Sequence, residues 1–272
     1  MSGKRKAFFW LLILIVAGCV GYLTYYFVGQ KQNEDVYENL KAEVEEPEPE
    51  PEPAEEPEPA PAEEPVEEPV AETPVPVDIP IDFNTLWQTN PDIYAWIQIP
   101  DTNVDYPVAQ SATDNVYYLN NTIEGAAGYP GSIYTENYNA KDFSDFDTVV
   151  YGHNMRNGSM FGTLQKYRDS SYMAAHPQII VYTPDYKRTY QIFASVVYSD
   201  RHILNTFDFT QEAGRQEYLD SILNGNDMNN IVNRDVTVDI NSRILTLSTC
   251  ITGQPNNRYL VEAVLISEEA GQ

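Results

Sequence analysis

The chain has 272 residues, 42% of them hydrophobic, and a formal net charge of −25 at pH 7. That length suits one or two domains. The negative charge is concentrated, because residues 43–72 contain 14 Glu and neither Lys nor Arg. A nucleic-acid-binding protein needs a basic surface, and this sequence has no basic cluster that would form one, which excludes that class of function.

The first residues predict a membrane anchor. Three basic residues at positions 4–6 precede an apolar run at 7–28, which is long enough to cross a bilayer of ~30 Å. Aromatic residues lie near both ends of the run, and the basic residues place the N-terminus in the cytoplasm. A cleavable signal peptide is the alternative, but its apolar core would be shorter. We therefore predict a cytoplasmic tail at 1–6 and an uncleaved, single-pass anchor at 7–28, with the rest of the chain extracellular.

Residues 47–80 are dominated by Pro and Glu, a composition that cannot form a core. Proline favours an extended conformation, and like charges extend the chain further, so some thirty residues could span roughly 100 Å. We predict a disordered linker at 29–81 that acts as a stalk between the membrane and the folded domain. Deletion of residues 1–79 is then expected to leave activity within a few-fold.

The folded domain is predicted at residues 82–272, as a mainly β barrel or sandwich, because most of it reads as short strands separated by turn residues. One helix is expected after Thr210 as the N-cap, with Tyr218, Leu219, Ile222 and Leu223 along one face. A shorter helix is expected around 83–88. The predicted strands are Ala95–Ile99, Gly131–Tyr134, Thr148–Tyr151, Ile179–Thr183, Thr189–Val197, Arg243–Ser248 and Tyr259–Ile266.

Two cysteines, Cys19 and Cys250, are separated by the predicted membrane, so a disulfide between them is implausible. Secreted domains usually pair their cysteines or avoid them, and a reactive thiol is one explanation for a lone Cys250. An inert, buried cysteine is the other explanation. Cys250 follows a predicted buried strand and precedes a predicted loop at 252–257, a position from which a scaffold presents side chains to solvent.

A cysteine nucleophile needs a general base or a nearby cation, and the chain has three histidines. His176 precedes a proline in a loop, and His202 lies in a polar stretch. A surface histidine is the default reading for each of the three. His153 directly follows the predicted strand Thr148–Tyr151 and Gly152, and this position at a strand end makes it the best candidate partner for the cysteine.

Arg258 follows Cys250 by eight residues and is expected to open the next strand. If the two flanking strands pair as a hairpin, both side chains reach one pocket, where a guanidinium could bind a carbonyl or stabilise an oxyanion. A surface arginine is the alternative. No acidic residue lies between the two, so we predict a Cys–His–Arg rather than a Cys–His–Asp site. Neither metal-ligand spacing nor a phosphate-binding loop is present, and no metal or cofactor is predicted.

These segments resemble the sortase family. The resemblance lies in TLSTC at Thr246–Cys250, in Arg258 and in VVYGHN at Val149–Asn154. Class B members are the most similar, and the resemblance covers residues 82–266. The segments that resemble class B are IYAWIQIPDTNVDYPVAQ at Ile93–Gln110, DNVYYL at Asp114–Leu119 and GYPGSIY at Gly128–Tyr134.

The resemblance implies a sortase-like eight-stranded β-barrel with a few peripheral helices, and transpeptidation at a C-terminal sorting signal of a surface protein. Cys250 would attack the carbonyl of a threonine and form a thioacyl enzyme, which an amine of peptidoglycan or of a pilin lysine would resolve. His153 would act as the acid and base. Arg258 would hold the substrate or stabilise the oxyanion. By the same match, the groove residues would be Ser248, Tyr151, Asn115 and Leu119.

Two other functions remain open at this stage. A papain-like cysteine protease would use the same thiol, but its cysteine usually lies on a helix near the domain start and precedes the histidine. A non-enzymatic surface-binding module would not need Cys250 at all, so alkylation of its thiol would leave binding intact.

Overall fold

The structure, a computed structural model, describes residues 3–44 and 76–272. A single long helix, α1 (Gly3–Val44), forms the N-terminal part. Within Phe8–Val44, α1 has a window of mean hydropathy 2.1, which makes it apolar and long enough to cross a membrane by length and composition. Its large apolar side chains between Phe8 and Val28 are exposed, as expected of a surface that faces lipid.

Within residues 76–272, the strands form a closed β-barrel. Its strands pair in the order β5-β1-β2-β3-β4-β8-β9-β6, and β6 also pairs with β5, which closes eight strands into a ring. The two-residue β7 adds to the edge of β6. The strands are β1 (Ile93–Gln98), β2 (Asp105–Ala109), β3 (Ile133–Thr135), β4 (Asp147–Tyr151), β5 (Gln178–Tyr182), β6 (Tyr186–Ser199), β7 (Ile231–Val232), β8 (Ile244–Ile251) and β9 (Gln254–Ala270).

The predicted eight-stranded barrel is therefore confirmed, and each predicted strand overlaps an observed one. Strand β2 was not predicted from its residues, because Pro107 interrupts the pattern and removes a backbone donor. The loop predicted at 252–257 is wrong for its last four residues. Thr252 and Gly253 alone make the turn, Gly253 with a φ of +78°, and β9 begins at Gln254.

Short helices surround the barrel. The helix predicted after Thr210 is present as α6, but its N-cap is Gln211, and the Thr210 hydroxyl instead contacts the Asp208 carboxylate. Tyr218, Leu219 and Ile222 are buried as predicted. The helices are α2 (Phe83–Thr89), α3 (Tyr117–Asn120), a 3-10 helix (Gly162–Arg168), α4 (Ser170–Ala175), α5 (Ile203–Thr206) and α6 (Glu212–Leu223).

The C-terminal end of α1 packs on the barrel. Tyr37, Leu40 and Val44 are buried in the same apolar cluster as β1 and β2. Lys41 Nζ lies 3.2 Å from Asp105 Oδ2, and Val44 O accepts a hydrogen bond from Asp82 N at 2.9 Å. The sequence placed residues 29–44 in a linker, whereas the structure makes them helix, because Tyr37, Leu40 and Val44 lie on one face that finds a partner on the barrel.

This docking brings the residues on both sides of the Pro/Glu-rich segment onto the barrel. Residues 45–75 lie outside the described part of the chain, but both flanks of the segment lie on the barrel, and Val44 and Asp82 are hydrogen-bonded. Val77 pairs with Gly271, and Ile81 is buried. The segment therefore connects two neighbouring points on one domain. The predicted linker is therefore wrong for residues 29–44, which are helical, whereas the predicted stalk at residues 45–75 lies outside the described residues.

Candidate active site

Strand pairing brings residues 97 positions apart in the chain side by side. Strands β4 and β8 run parallel, with Tyr151 opposite Ser248, so their ends lie at the same edge of the barrel. The pairing of β4 with β8 continues beyond the last residue of β4. Gly152 N donates to Ser248 O at 3.2 Å, and Thr249 Oγ1 donates to Gly152 O at 2.7 Å. His153, the next residue, is thereby fixed beside the end of β8.

The hairpin of β8 and β9 places Arg258 directly opposite Cys250. The Cys250 side chain is exposed, although the six residues before it in β8 are buried. Nη1 of Arg258 donates to the carbonyl oxygens of Pro255 and Asn257, both at 3.0 Å. The loop backbone therefore holds the guanidinium at the same edge of the sheet as the thiol.

His153 is oriented by a backbone carbonyl. Its Nε2 lies 2.8 Å from Leu119 O, and because a carbonyl oxygen only accepts, Nε2 carries the hydrogen. The ring of Tyr129 packs on the imidazole at 4.8 Å. Gly131 has a φ of +67°, and a β-carbon there would lie 2.6 Å from Leu119 O and 3.2 Å from His153 Cδ2. Only glycine leaves room for this loop against the histidine.

Cys250, His153 and Arg258 line one cavity of about 340 Å³. Leu119, Tyr151 and Ser248 line it as well, as the sequence predicted for a substrate groove. Asn115 does not line this cavity, and its Oδ1 instead accepts a hydrogen bond from Asn137 N at 2.8 Å. The neighbouring Val116 takes its place in the wall.

The same cavity contains a polar pair that the sequence did not reveal. Nε2 of His202 lies 2.5 Å from Oε2 of Glu136, and both residues line the cavity. The default reading of His202 as a surface histidine is therefore wrong. No local signal pointed to the pair, because its members are 66 residues apart and neither lies in a recognisable motif.

Two tyrosines complete the wall near the thiol. Tyr134 and Tyr151 are opposite each other in β3 and β4, with ring centroids 5.4 Å apart. Burial raises the pKa of both phenols above the usual value, so both remain neutral at physiological pH. The cavity therefore offers an aromatic surface next to the nucleophile, together with charged residues such as Glu136 and Arg258.

A second cavity of about 600 Å³ lies between α1 and the barrel. Its lining includes Phe27 and Lys31 of α1 and Met160 of the barrel, but none of its lining residues is a cysteine or a histidine. The reactive groups therefore point to the smaller cavity as the site of chemistry.

Comparison with known proteins gives the same family that the motifs resemble. A family profile described as the sortase domain matches residues 97–266. Sortase B of Listeria monocytogenes is 33% identical over 188 residues, which cover 67% of this chain and 73% of that protein. Sortase B of Staphylococcus aureus is 32% identical over 187 residues, which cover 68% of this chain and 74% of that protein.

Solved structures extend the similarity to three dimensions. The substrate complex of Staphylococcus aureus sortase B is 30% identical, with a TM-score of 0.60, and the match covers 68% of this chain and 84% of that one. The X-ray structure of Clostridium perfringens sortase B is 29% identical, with a TM-score of 0.61, and the match covers 68% of this chain and all of that one.

Proposed function

This chain belongs to the sortase family as a class B sortase, a cysteine transpeptidase, and on that premise we propose the reaction that it catalyses and the residues that carry it out. The substrate is a surface protein with a C-terminal sorting signal, cleaved after a threonine. The observation that carries the proposal is the arrangement of one exposed thiol, one oriented imidazole and one guanidinium around a single cavity.

Cys250 is the nucleophile. Its sulfur attacks the carbonyl carbon of the threonine, and the carbonyl oxygen becomes an oxyanion in the tetrahedral intermediate. Arg258 stabilises this charge with fixed donors, and its position opposite Cys250 in the hairpin supports this role. The C–N bond then breaks, which leaves a thioester between threonine and Cys250 and releases the C-terminal peptide as an amine.

His153 moves the protons in both halves of the reaction. Nε2 donates to Leu119 O, so Nδ1 is the nitrogen that exchanges protons with the reacting groups. As the Cys250 sulfur attacks, Nδ1 takes the thiol proton, and as the first half ends His153 gives that proton to the departing amine. In the second half it takes a proton from the incoming amine as that amine attacks the thioester, and the Cys250 sulfur leaves as a thiolate.

The acceptor is an amine of peptidoglycan or of a pilin lysine, and the catalytic domain works on the outer face of the cell membrane. Helix α1 supports this location, because its Phe8–Val44 segment can cross a bilayer and carries basic residues before it. The cytoplasmic position of the N-terminus is part of the same proposal.

The decisive experiment follows the fate of the thioester. A peptide library identifies a cleaved sequence for the full chain in detergent, and mass spectrometry then analyses the products with and without an oligoglycine amine. We expect slow turnover alone, faster turnover with amine, and amine in the product. Cys250→Ala is expected to abolish cleavage, His153→Ala to be nearly as severe, and Cys19→Ala, the matched control, to retain wild-type rates.

Two results would contradict the proposal. Free acid as the sole product at high amine concentration identifies a protease. An absence of cleavage, with ligand binding and cell-surface phenotype unchanged in Cys250→Ala, identifies a binding module.

A further inference from the structure

We propose that Tyr37, at the docked end of the anchor helix α1, is a positioning residue for His153. This inference rests on the proposed function, since it assigns Tyr37 a part in the same reaction. It makes the end of the membrane helix a component of the active site, and not only an anchor.

The Tyr37 hydroxyl forms hydrogen bonds with the loop at residues 123–132, which contacts His153. Tyr37 is 3% exposed, and its hydroxyl donates to Gly131 O at 2.5 Å. The same oxygen lies 3.3 Å from Ser132 Oγ and accepts from Ile123 N at 3.4 Å. One side chain of α1 therefore ties together both ends of the segment at residues 123–132, which carries Tyr129 and Gly131.

That segment is also the one that touches His153. A β-carbon on Gly131 would lie 3.2 Å from His153 Cδ2 and 2.6 Å from Leu119 O, the acceptor of the imidazole hydrogen bond. Tyr129, two residues earlier, packs its ring on the imidazole. The peptide group that accepts from Tyr37 therefore lies against the catalytic ring and against its hydrogen-bond partner.

The C-terminal end of α1 is packed tightly against the barrel, so Tyr37 can fix the position of the loop that contacts His153. The Tyr37 ring packs edge-on against Tyr106 at 5.7 Å, and Leu40 and Val44 are buried beside it. Lys41 pairs with Asp105 at 3.2 Å on the same face. Burial raises the pKa of Tyr37 to about 12, so its hydroxyl keeps the proton that it donates throughout the physiological pH range.

The test compares three single variants of the full chain in detergent. Tyr37→Phe removes the hydroxyl and keeps the ring. Tyr167→Phe is the matched control, because Tyr167 is also buried and its hydroxyl also donates to a carbonyl, that of His176, at 2.8 Å. Lys41→Met removes one ion pair from the same helix end and leaves the hydrogen bonds of the Tyr37 hydroxyl in place.

We expect kcat to fall about tenfold in Tyr37→Phe with KM within twofold, because a small displacement of an acid–base group lowers the rate more than binding. Both controls are expected to keep the wild-type kcat. A second readout does not depend on turnover: the chain has three histidines, so ring-labelled protein shows three sets of imidazole NMR signals. The His153 set, assigned by its loss in His153→Gln, should shift in Tyr37→Phe alone.

Unchanged His153 signals, or a wild-type kcat per folded molecule despite a lower Tm, would overturn the inference and leave Tyr37 as a stabilising residue. If the wild-type chain itself shows no turnover, the proposed function fails, whereas the ring signals still report whether Tyr37 orients His153.

Discussion

At the scale of single residues, the position of Arg258 decides what it can do. Its partners are carbonyl oxygens of β9, Pro255 O and Asn257 O, so only Nη1 has a partner among the described residues. The remaining guanidinium donors are left for a ligand in the cavity. A planar group with several fixed donors serves this role better than an ammonium, which is a single mobile point charge.

Arg258→Lys is therefore expected to lower kcat/KM at least ~10²-fold, the usual loss when an oxyanion donor is removed. Steady-state cleavage of the library-selected peptide measures this change. Arg243→Lys is a suitable control, because Arg243 pairs with Glu268 away from the cavity. Near wild-type turnover in Arg258→Lys would mean that the guanidinium does not contact the reacting carbonyl.

At the scale of elements, a buried polar network joins three strands and a helix. Thr246 Oγ1 of β8 lies 2.8 Å from both Asp147 Oδ1 of β4 and Glu262 Oε2 of β9. The hydroxyl of Tyr218 in α6 lies 2.9 Å from Thr246 Oγ1 and 3.0 Å from Glu262 Oε1. Thr246 and Tyr218 each have one hydroxyl hydrogen, so the two hydroxyls can donate in only two of these four contacts. A proton on the carboxyl group of Asp147 or Glu262 is needed to make a third contact a hydrogen bond.

Burial raises the pKa of Asp147 and of Glu262 well above the usual carboxyl range, because neither has an ion-pair partner among the described residues. The folded chain therefore retains protons that the unfolded chain releases from about pH 4 upwards. The stabilisation of the folded state by these protons is complete below pH ~4. It is lost as the pH rises through the raised pKa values that the two carboxyl groups have in the folded chain. The slope is at most ~1.4 kcal/mol per pH unit for each retained proton.

Glu262→Gln cannot ionise, so its free energy of unfolding should fall less steeply between pH 5 and pH 8 than that of the wild type. Urea unfolding at each pH measures the two slopes. Glu268→Gln is the control. The hydrogen bond from Arg243 lowers the pKa of Glu268, so its contribution is lost only as pH falls through that lowered value. If the free energy of unfolding has the same slope against pH in the wild type and in Glu262→Gln, Glu262 is ionised in the folded state.

At the scale of the whole molecule, α1 sets the distance between the membrane and the active site. Tyr37 follows Val28, the predicted end of the membrane span, by nine residues, which is about 14 Å of helix. With the proposed topology, the continuous helix would hold the catalytic cavity near the membrane surface.

Shortening the Pro/Glu-rich segment should therefore leave this distance unchanged. Deletion of residues 50–69 leaves eleven residues to join Val44 to Pro76, a reach of roughly 36 Å. We expect near wild-type attachment of surface proteins in cells, measured by cell-wall fractionation. Deletion of residues 1–79, which the sequence predicted to be harmless, removes Tyr37 and should lower kcat on soluble peptides. Loss of attachment in the shorter deletion would mean that residues 50–69 have a role of their own.

Local sequence determined a large part of this protein. Hydropathy alone located the apolar run at 7–28, and strand patterns placed Cys250 near the end of β8 and His153 just after β4. The eight-residue interval between Cys250 and Arg258 indicated a hairpin, and the structure has the two directly opposite each other. The predicted limits at 1–6, 7–28 and 82–272 stay predictions.

Only the tertiary structure decided which distant residues meet. The periodicity of a segment shows which of its faces is buried but not what lies against that face. Local sequence patterns therefore could not predict the contact of Tyr37 with Gly131, 94 residues away, or that of His202 with Glu136. The same holds for the docking of α1, whose residues 29–44 the sequence placed in a linker. Long-range burial decides such contacts, because it depends on the closed barrel as a whole.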